Sequence, residues 1–187
     1  MGAEQIASAP GGSCQMAKEW MWHGIPRDRP SGRKDAADRM LREFDDLCKR
    51  LGVKYFVGWG ACLGFYRGGD YIPWDNDIDV GVMCNGEQFA ELVGGLCELG
   101  YKTEGPPHYN RHWWRDSLLL DVFRVRQDGA GARFYTNLGT INHKGRDYPV
   151  PAPIEPYFVW RYGPDWRIPK RKQSTSLVAG TYFTLAI

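Results

Sequence analysis

A run of alternating acidic and aliphatic residues constrains the fold of this chain more than any other feature. Between positions 77 and 83 the sequence reads DIDVGVM, so that Ile78 and Val80 alternate with Asp77 and Asp79. Successive side chains of a β-strand point to opposite faces, and this alternation therefore predicts a strand with a buried aliphatic face. The two carboxylates would leave the other face side by side.

A third acidic residue is a candidate partner for these two carboxylates. Asp121 stands alone inside the apolar run LLLDVF, which predicts another strand over residues 118–125. A charge among apolar side chains is costly unless it is paired or bound to a metal. Closely spaced carboxylates also repel each other unless a cation lies between them. Asp77, Asp79 and Asp121 are therefore predicted to share Mg²⁺ or Mn²⁺, because carboxylate oxygens suit these hard ions.

Amphipathic helices are predicted on both sides of the first acidic strand. Apolar residues at helical spacing predict a helix over residues 34–51, with Ser31 as a candidate cap and Gly52 as its end. A second helix is predicted over residues 85–100, with Asn85 as its cap.

Shorter elements complete the predicted order. A strand is predicted at residues 55–57, a short helix at 60–66 and one more short strand at 133–136. Beyond Tyr148 the many prolines and aromatic residues indicate a wrapping segment with one or two helical turns. This order predicts an α/β (α+β) fold in which helices flank a small mixed β-sheet.

Composition limits the domain organisation and the class of protein. At 187 residues the chain is long enough for one well-packed domain, predicted at residues 33–172 between tails at 1–32 and 173–187. A formal net charge of +2 argues against a nucleic-acid binder that depends on bulk electrostatics. No apolar stretch reaches the ~18 residues of a membrane span, and residues 1–12 lack the apolar run of a signal peptide.

The cysteines bear on the compartment. Their number is odd, at five, and none forms a CxxC pair, so buried free thiols are predicted instead of disulfides or a zinc site. Free thiols slightly favour a reducing compartment such as the cytoplasm. The sequence determines neither the compartment nor the oligomeric state.

The segment before the acids has the features of a phosphate site. Gly60 opens the predicted short helix, where the missing side chain lets a ligand approach the backbone and N-terminal amides favour phosphate. Arg67 follows, and a guanidinium suits phosphate recognition. A phosphate site beside a metal held by three acids is typical of phosphoryl transfer. A calcium loop starting at Asp75 is disfavoured, because it would need Gly and Glu where Val80 and Gly86 stand.

The same stretch is similar to the signature of the LicD family, which includes the fukutin-like proteins. That signature reads Gly-Thr-Leu-Leu-Gly, Arg, then Phe-Ile-Pro-Trp-Asp-x-Asp-Ile-Asp. The matching segments here are GACLG at 60–64, Arg67, YIPWDNDID at 71–79, and a closing element of Tyr157, RYGPDW at 161–166 and Pro169. Asp121 falls where the family has its third acid.

The resemblance implies a nucleotidyltransferase fold and a defined reaction. A substituted phosphate, such as phosphocholine or a polyol phosphate, would pass from a CDP-activated donor to a hydroxyl of a glycan or glycoconjugate. Asp77, Asp79 and Asp121 would be the catalytic and metal-binding residues, and Asp121 would help to deprotonate the acceptor. The residues expected to bind the donor phosphates are Gly60, Ala61, Gly64 and Arg67.

Two other functions remain open at this point. One is a nucleotidyltransferase that moves NMP, and not the distal phosphate group, to its acceptor. The other is a catalytically inactive domain that keeps the fold for binding or assembly, because Ala61 replaces the hydroxyl-bearing residue of the family.

Polar and aromatic residues elsewhere have two interpretations each. Trp74 could form a wall of the metal site or pack in the core, and residues 112–115 could shape the acceptor or nucleotide pocket or belong to the core and its rim. His143, Lys144 and Arg146 could meet phosphate or belong to a solvated loop.

Overall fold

The computed structural model describes residues 31–103, 112–126 and 128–170. Its helices are α1 (Ser31–Leu51), α2 (Trp59–Gly68), α3 (Gly86–Glu98) and α4 (Ile154–Tyr162). Its strands are β1 (Lys54–Val57), β2 (Asp77–Met83), β3 (Lys102–Thr103), β4 (His112–Arg115), β5 (Leu118–Arg124), β6 (Gly139–His143) and β7 (Arg146–Val150). Most of the two predicted tails, including Cys14, lies outside the described residues.

A five-stranded mixed sheet forms the centre of the fold. Its strand order is β1-β2-β5-β4-β3, in which β2 and β5 run parallel and the other neighbouring pairs run antiparallel. Strands β6 and β7 form a separate hairpin. The predicted mixed sheet flanked by helices is confirmed. Its register sets Asp79 of β2 directly opposite Asp121 of β5.

Buried apolar faces hold the helices on this sheet. Ile78 and Val80 of β2 are fully buried, as is Phe44 on the apolar face of α1. Helix α3 begins with a capping box, in which the Asn85 side chain accepts from the Gln88 amide and the Gln88 side chain accepts from the Asn85 amide. The two predicted amphipathic helices are therefore confirmed, and α3 with its predicted cap.

The described cysteines are free thiols. Cys48 and Cys62 are buried, as predicted, and burial raises the pKa of both thiols far above the usual range. Among the described helices, none combines the length and the apolar character that are needed to cross a bilayer.

The segment after β5 differs from the prediction. The strand expected at residues 133–136 is wrong, because Ala132–Phe134 is a 3-10 helix and the Tyr135 amide donates to the Ala132 carbonyl at 2.9 Å. This turn buries Phe134 and stacks Tyr135 on Phe56, with ring centroids 4.4 Å apart. Adjacent aromatic residues are typical of strands, which is why the sequence predicts one here. In the folded chain, Phe134 and Tyr135 instead pack against different neighbours, and a tight turn allows this.

The hairpin of β6 and β7 is not predicted by the sequence pattern. Its turn residues Lys144 and Gly145 have φ angles of +49° and +78°, the left-handed conformations that a tight two-residue turn requires. The helical turns expected beyond Tyr148 are present as α4.

Candidate metal centre

Three carboxylates meet on one face of the sheet. Asp77 and Asp79 leave β2 on the face opposite to its buried aliphatic residues, and Asp121 leaves the neighbouring strand in register with Asp79. One carboxylate oxygen of each residue lies within 4.8 Å of the corresponding oxygens of the other two. The juxtaposition predicted from the sequence is therefore observed.

The electrostatics of this cluster favour a cation. Burial raises the pKa of Asp79 well above its usual value, and the negative charges of Asp77, Asp75 and Asp121 raise it further. A hydrogen bond from the Gly60 amide opposes this shift. Asp121 is only 7% exposed. Three oxygens from carboxylates in a partly desolvated cluster fit the ligand preference of Mg²⁺ or Mn²⁺.

Two backbone amides at the start of α2 are hydrogen-bonded to Asp79. The Gly58 amide donates to the main-chain carbonyl of Asp79 at 3.1 Å, and the Gly60 amide donates to its carboxylate. Gly60 also lies close to Asp75, because a Cβ at position 60 would be 1.9 Å from Oδ2 of that residue. The positive end of the α2 dipole therefore faces the carboxylate cluster.

His112 lies beside the third acid. It is directly opposite Asp121 in the antiparallel pairing of β4 with β5, and its Nε2 is 3.4 Å from Oδ1 of Asp121. Residues 112–115 were expected at a pocket or in the core, and the structure brings His112 to the acids and buries Trp113 fully. Strand pairing was the missing information, because residue 112 is nine positions from Asp121 in sequence.

The residues expected to bind donor phosphates do not share one surface. Ala61 is 1% exposed and lies in the core. Gly64 packs against the following loop, where a Cβ would be 2.6 Å from the Asp70 carbonyl oxygen. Arg67 lies seven residues beyond Gly60 on α2, roughly 10 Å along the helix axis. Phosphate binding by these residues stays a prediction.

Two tyrosines of α4, Tyr157 and Tyr162, approach the site, and their spacing in the sequence does not predict this. The Trp59 amide donates to the Tyr157 hydroxyl at 3.1 Å. Burial raises the pKa of Tyr162, the Arg161 charge opposes this shift, and the charges of Asp79 and Asp75 increase it. The Tyr162 hydroxyl is therefore within electrostatic reach of the acids, although the residue is 37% exposed.

The side chains of the basic cluster near the hairpin contact acidic residues of α1. His143 is buried, with Nε2 2.9 Å from Oδ1 of Asp38, and Lys144 donates to the other oxygen of Asp38 at 2.5 Å. Arg146 donates to the fully buried Asp45 at 2.6 Å. The Lys144 and Arg146 side chains, together with the His143 imidazole, attach the hairpin to α1, and the charges of the lysine and the arginine are compensated by acids of that helix.

Comparison with known proteins gives one family match. Residues 52–140 match the family described as LicD/FKTN/FKRP, nucleotidyltransferase domain. The uncharacterized protein RP689 of Rickettsia prowazekii is 27% identical over 116 residues, which cover 61% of this chain and 42% of that protein. Ribitol 5-phosphate transferase FKRP of Homo sapiens is 33% identical over 81 residues, covering 43% of this chain and 15% of that protein.

Another relative matches a short segment of this chain, and solved structures with a similar fold are also found. Lipopolysaccharide cholinephosphotransferase LicD of Haemophilus influenzae is 44% identical over 41 residues, covering 22% of this chain and 16% of that protein. This chain thus spans less than half the length of each of these three relatives. The solution structure of the antibiotic-resistance factor ANT(2'')-Ia aligns with a TM-score of 0.49 and 17% identity, over 71% of this chain and 76% of that one.

Proposed function

We propose that this protein, whose residues 52–140 form a LicD-family nucleotidyltransferase domain, transfers a substituted phosphate group to a hydroxyl acceptor. Two similar proteins are named as a ribitol 5-phosphate transferase and a lipopolysaccharide cholinephosphotransferase. By analogy, the donor would be a CDP-activated choline or polyol, and the acceptor would be a glycan or glycoconjugate. Nucleic acid is not expected as a partner, because the net charge is close to neutral.

The convergence of Asp77, Asp79 and Asp121 is the observation that carries this proposal. Their oxygens lie within 4.8 Å of one another, and their mutual repulsion raises the pKa of Asp79 in addition to the effect of burial. These three residues would hold Mg²⁺ or Mn²⁺. When bound, the ion would neutralise the charge that develops on the transferred phosphate.

Residues of the chain would carry out the proton transfer. Asp121 would accept the proton of the acceptor hydroxyl, while the hydroxyl oxygen bonds to the distal phosphorus of the donor. The bond between the two donor phosphates breaks, and CMP leaves with its electron pair. His112, whose Nε2 is 3.4 Å from Asp121, would orient the accepting carboxylate.

The donor phosphates would lie near the start of α2. The Gly60 amide already donates to the Asp79 carboxylate, so the Ala61 amide is the next hydrogen-bond donor at this end of the helix. Alanine has no hydroxyl, and the Ala61 side chain is buried, so the backbone amide would contact the phosphate. Gly64 and Arg67 stay the further candidates for this contact.

The direct test is a screen of CDP-choline and CDP-linked polyols for CMP release with Mg²⁺ or Mn²⁺, in the presence of glycan acceptors. We expect metal-dependent release of CMP, and we expect Asp77→Asn and Asp121→Asn each to abolish it. Asp128→Asn is the matched control, since Asp128 is exposed and ion-paired with Arg126. Release of pyrophosphate from nucleoside triphosphates would indicate NMP transfer instead. Metal binding without turnover on any donor would favour an inactive binding domain.

A further inference from the structure

Tyr157 lies far from the three acids in sequence, but it is hydrogen-bonded to the N-terminus of α2, whose Gly60 amide bonds to Asp79. It is fully buried on α4, and its hydroxyl accepts the Trp59 amide at 3.1 Å. Trp59 is the first residue of α2, and its amide is one of those that have no acceptor within their own helix. The Tyr157 hydroxyl supplies the missing acceptor.

Three consecutive amides at this helix end therefore have fixed acceptors. The amides of Gly58 and Gly60 both donate to Asp79, one to its main chain and one to its carboxylate. The Trp59 amide between them donates to Tyr157. A shift at Trp59 moves Gly60, because the two share a peptide bond.

The backbone at this point needs an external constraint. Trp59 has a φ angle of +42°, which a residue with a side chain rarely adopts. Such a conformation persists where surrounding contacts hold it. The Tyr157 hydroxyl is one such contact, and the stacking of the Trp59 ring on Phe123, with centroids 4.6 Å apart, is another.

We propose that Tyr157 is a positioning residue for the metal site, whose hydroxyl fixes Trp59 and thereby directs the Gly60 amide at the Asp79 carboxylate. This inference rests on the proposed function in one respect, namely that the three acids bind a divalent ion. It assigns to α4, which lies beyond the matched residues 52–140, a direct part in the geometry of the acids.

The test compares Tyr157→Phe with Tyr66→Phe. Each variant removes one hydroxyl that joins α2 to α4, because the Tyr66 hydroxyl donates to Glu155 at 2.8 Å. Only the Tyr157 bond lies at the end of α2 that faces the acids. Mn²⁺ affinity is measured by calorimetry on the full chain, at a temperature where both variants are fully folded. Melting temperatures are recorded in parallel, and the Gly60 amide resonance reports the hydrogen bond to Asp79.

Tyr157→Phe is expected to weaken Mn²⁺ binding about tenfold, and Tyr66→Phe is expected to leave it unchanged. The Gly60 amide resonance should shift in the first variant only. Wild-type Mn²⁺ affinity in Tyr157→Phe, even with a lower melting temperature, would overturn the inference. Equal weakening by both variants would also overturn it, since the effect would then be general loosening of α4. If the wild-type protein itself binds no Mn²⁺, the proposed metal site fails, which is a separate outcome.

Discussion

Replacing Asp79 by asparagine should stabilise the metal-free protein and abolish its response to metal. The substitution keeps an oxygen that can accept the Gly60 amide, and it removes one charge from a cluster of mutually repelling carboxylates. Under the proposed function, this repulsion is the structural cost of a site that binds a divalent ion. A single neutralisation therefore separates the structural cost of the site from its function.

The magnitude follows from the distances within the cluster. Two charges at the observed limit of 4.8 Å repel each other by about 3.5 kcal/mol at an effective dielectric constant of ~20, and by about 0.9 kcal/mol in bulk water. Proton uptake by Asp79 limits the cost, so the lower end applies. We expect a gain of about 1 kcal/mol, which corresponds to a rise in melting temperature of roughly 2–4 °C.

The pH dependence has a defined sign. The pKa of Asp79 is raised in the folded state, so the folded protein holds more protons than the unfolded chain between the two pKa values. Stability of the metal-free protein should therefore fall as the pH rises from the unfolded pKa through the raised folded pKa. Asp79→Asn should flatten this slope.

Thermal unfolding with and without Mn²⁺ measures both effects. Wild-type protein should gain about 2.7 kcal/mol when Mn²⁺ is at a hundred times its dissociation constant, and Asp79→Asn should gain almost nothing. Asp46→Asn is the control, because hydrogen bonding to Arg146 lowers the pKa of this exposed acid. It should not stabilise the protein and should leave the metal response intact. A lower melting temperature for metal-free Asp79→Asn, or an undiminished Mn²⁺ response, would refute the electrostatic reasoning.

Three further substitutions test a packing contact of α2 and the contacts that attach the hairpin to α1. Gly64→Ala would bring a Cβ within 2.6 Å of the Asp70 carbonyl oxygen, and urea titration should show a loss of about 1–3 kcal/mol; an unchanged midpoint would contradict this packing. Asp45→Ala removes the buried acceptor of Arg146 and of the Tyr55 hydroxyl, while Asp46 still pairs with Arg146; it should cost about 1–3 kcal/mol in the same assay, whereas a loss below the error of the assay would argue against a structural clamp. His143→Phe keeps an aromatic ring but removes both polar contacts of the imidazole; it should cost about 1–3 kcal/mol without changing Mn²⁺ affinity, and a weaker affinity would show that the basic cluster does serve the site.

The elements that the sequence predicts well are those with a complete periodic pattern of their own. Helices α1 and α3 each present a full apolar stripe, and β2 alternates between acidic and aliphatic residues from Asp77 to Val80. Their local pattern and their tertiary packing agree, so no information from distant residues is needed. The same holds for the two acids of β2, whose common face follows from their spacing alone.

The elements that the sequence misses depend on distant partners. Strand β3 has two residues, too few for any periodicity, and it exists because it pairs with β4. The hairpin of β6 and β7 is attached to α1 through contacts such as that of Arg146 with Asp45, which lie 101 positions apart. Polar residues that bridge such separations resemble a solvated loop in the sequence, because only the folded chain shows which acids they meet.

The candidate site combines both kinds of information. The family resemblance is confirmed by the match over residues 52–140, and this segment contains every carboxylate of the cluster. It does not contain Tyr157, which holds the backbone at the start of α2, or Tyr162, whose hydroxyl is within electrostatic reach of the acids. The acids would therefore be only partly organised without α4. The family match identifies the candidate metal ligands, whereas the hydrogen bond to Tyr157 that we propose as a positioning contact involves a helix outside the matched residues 52–140.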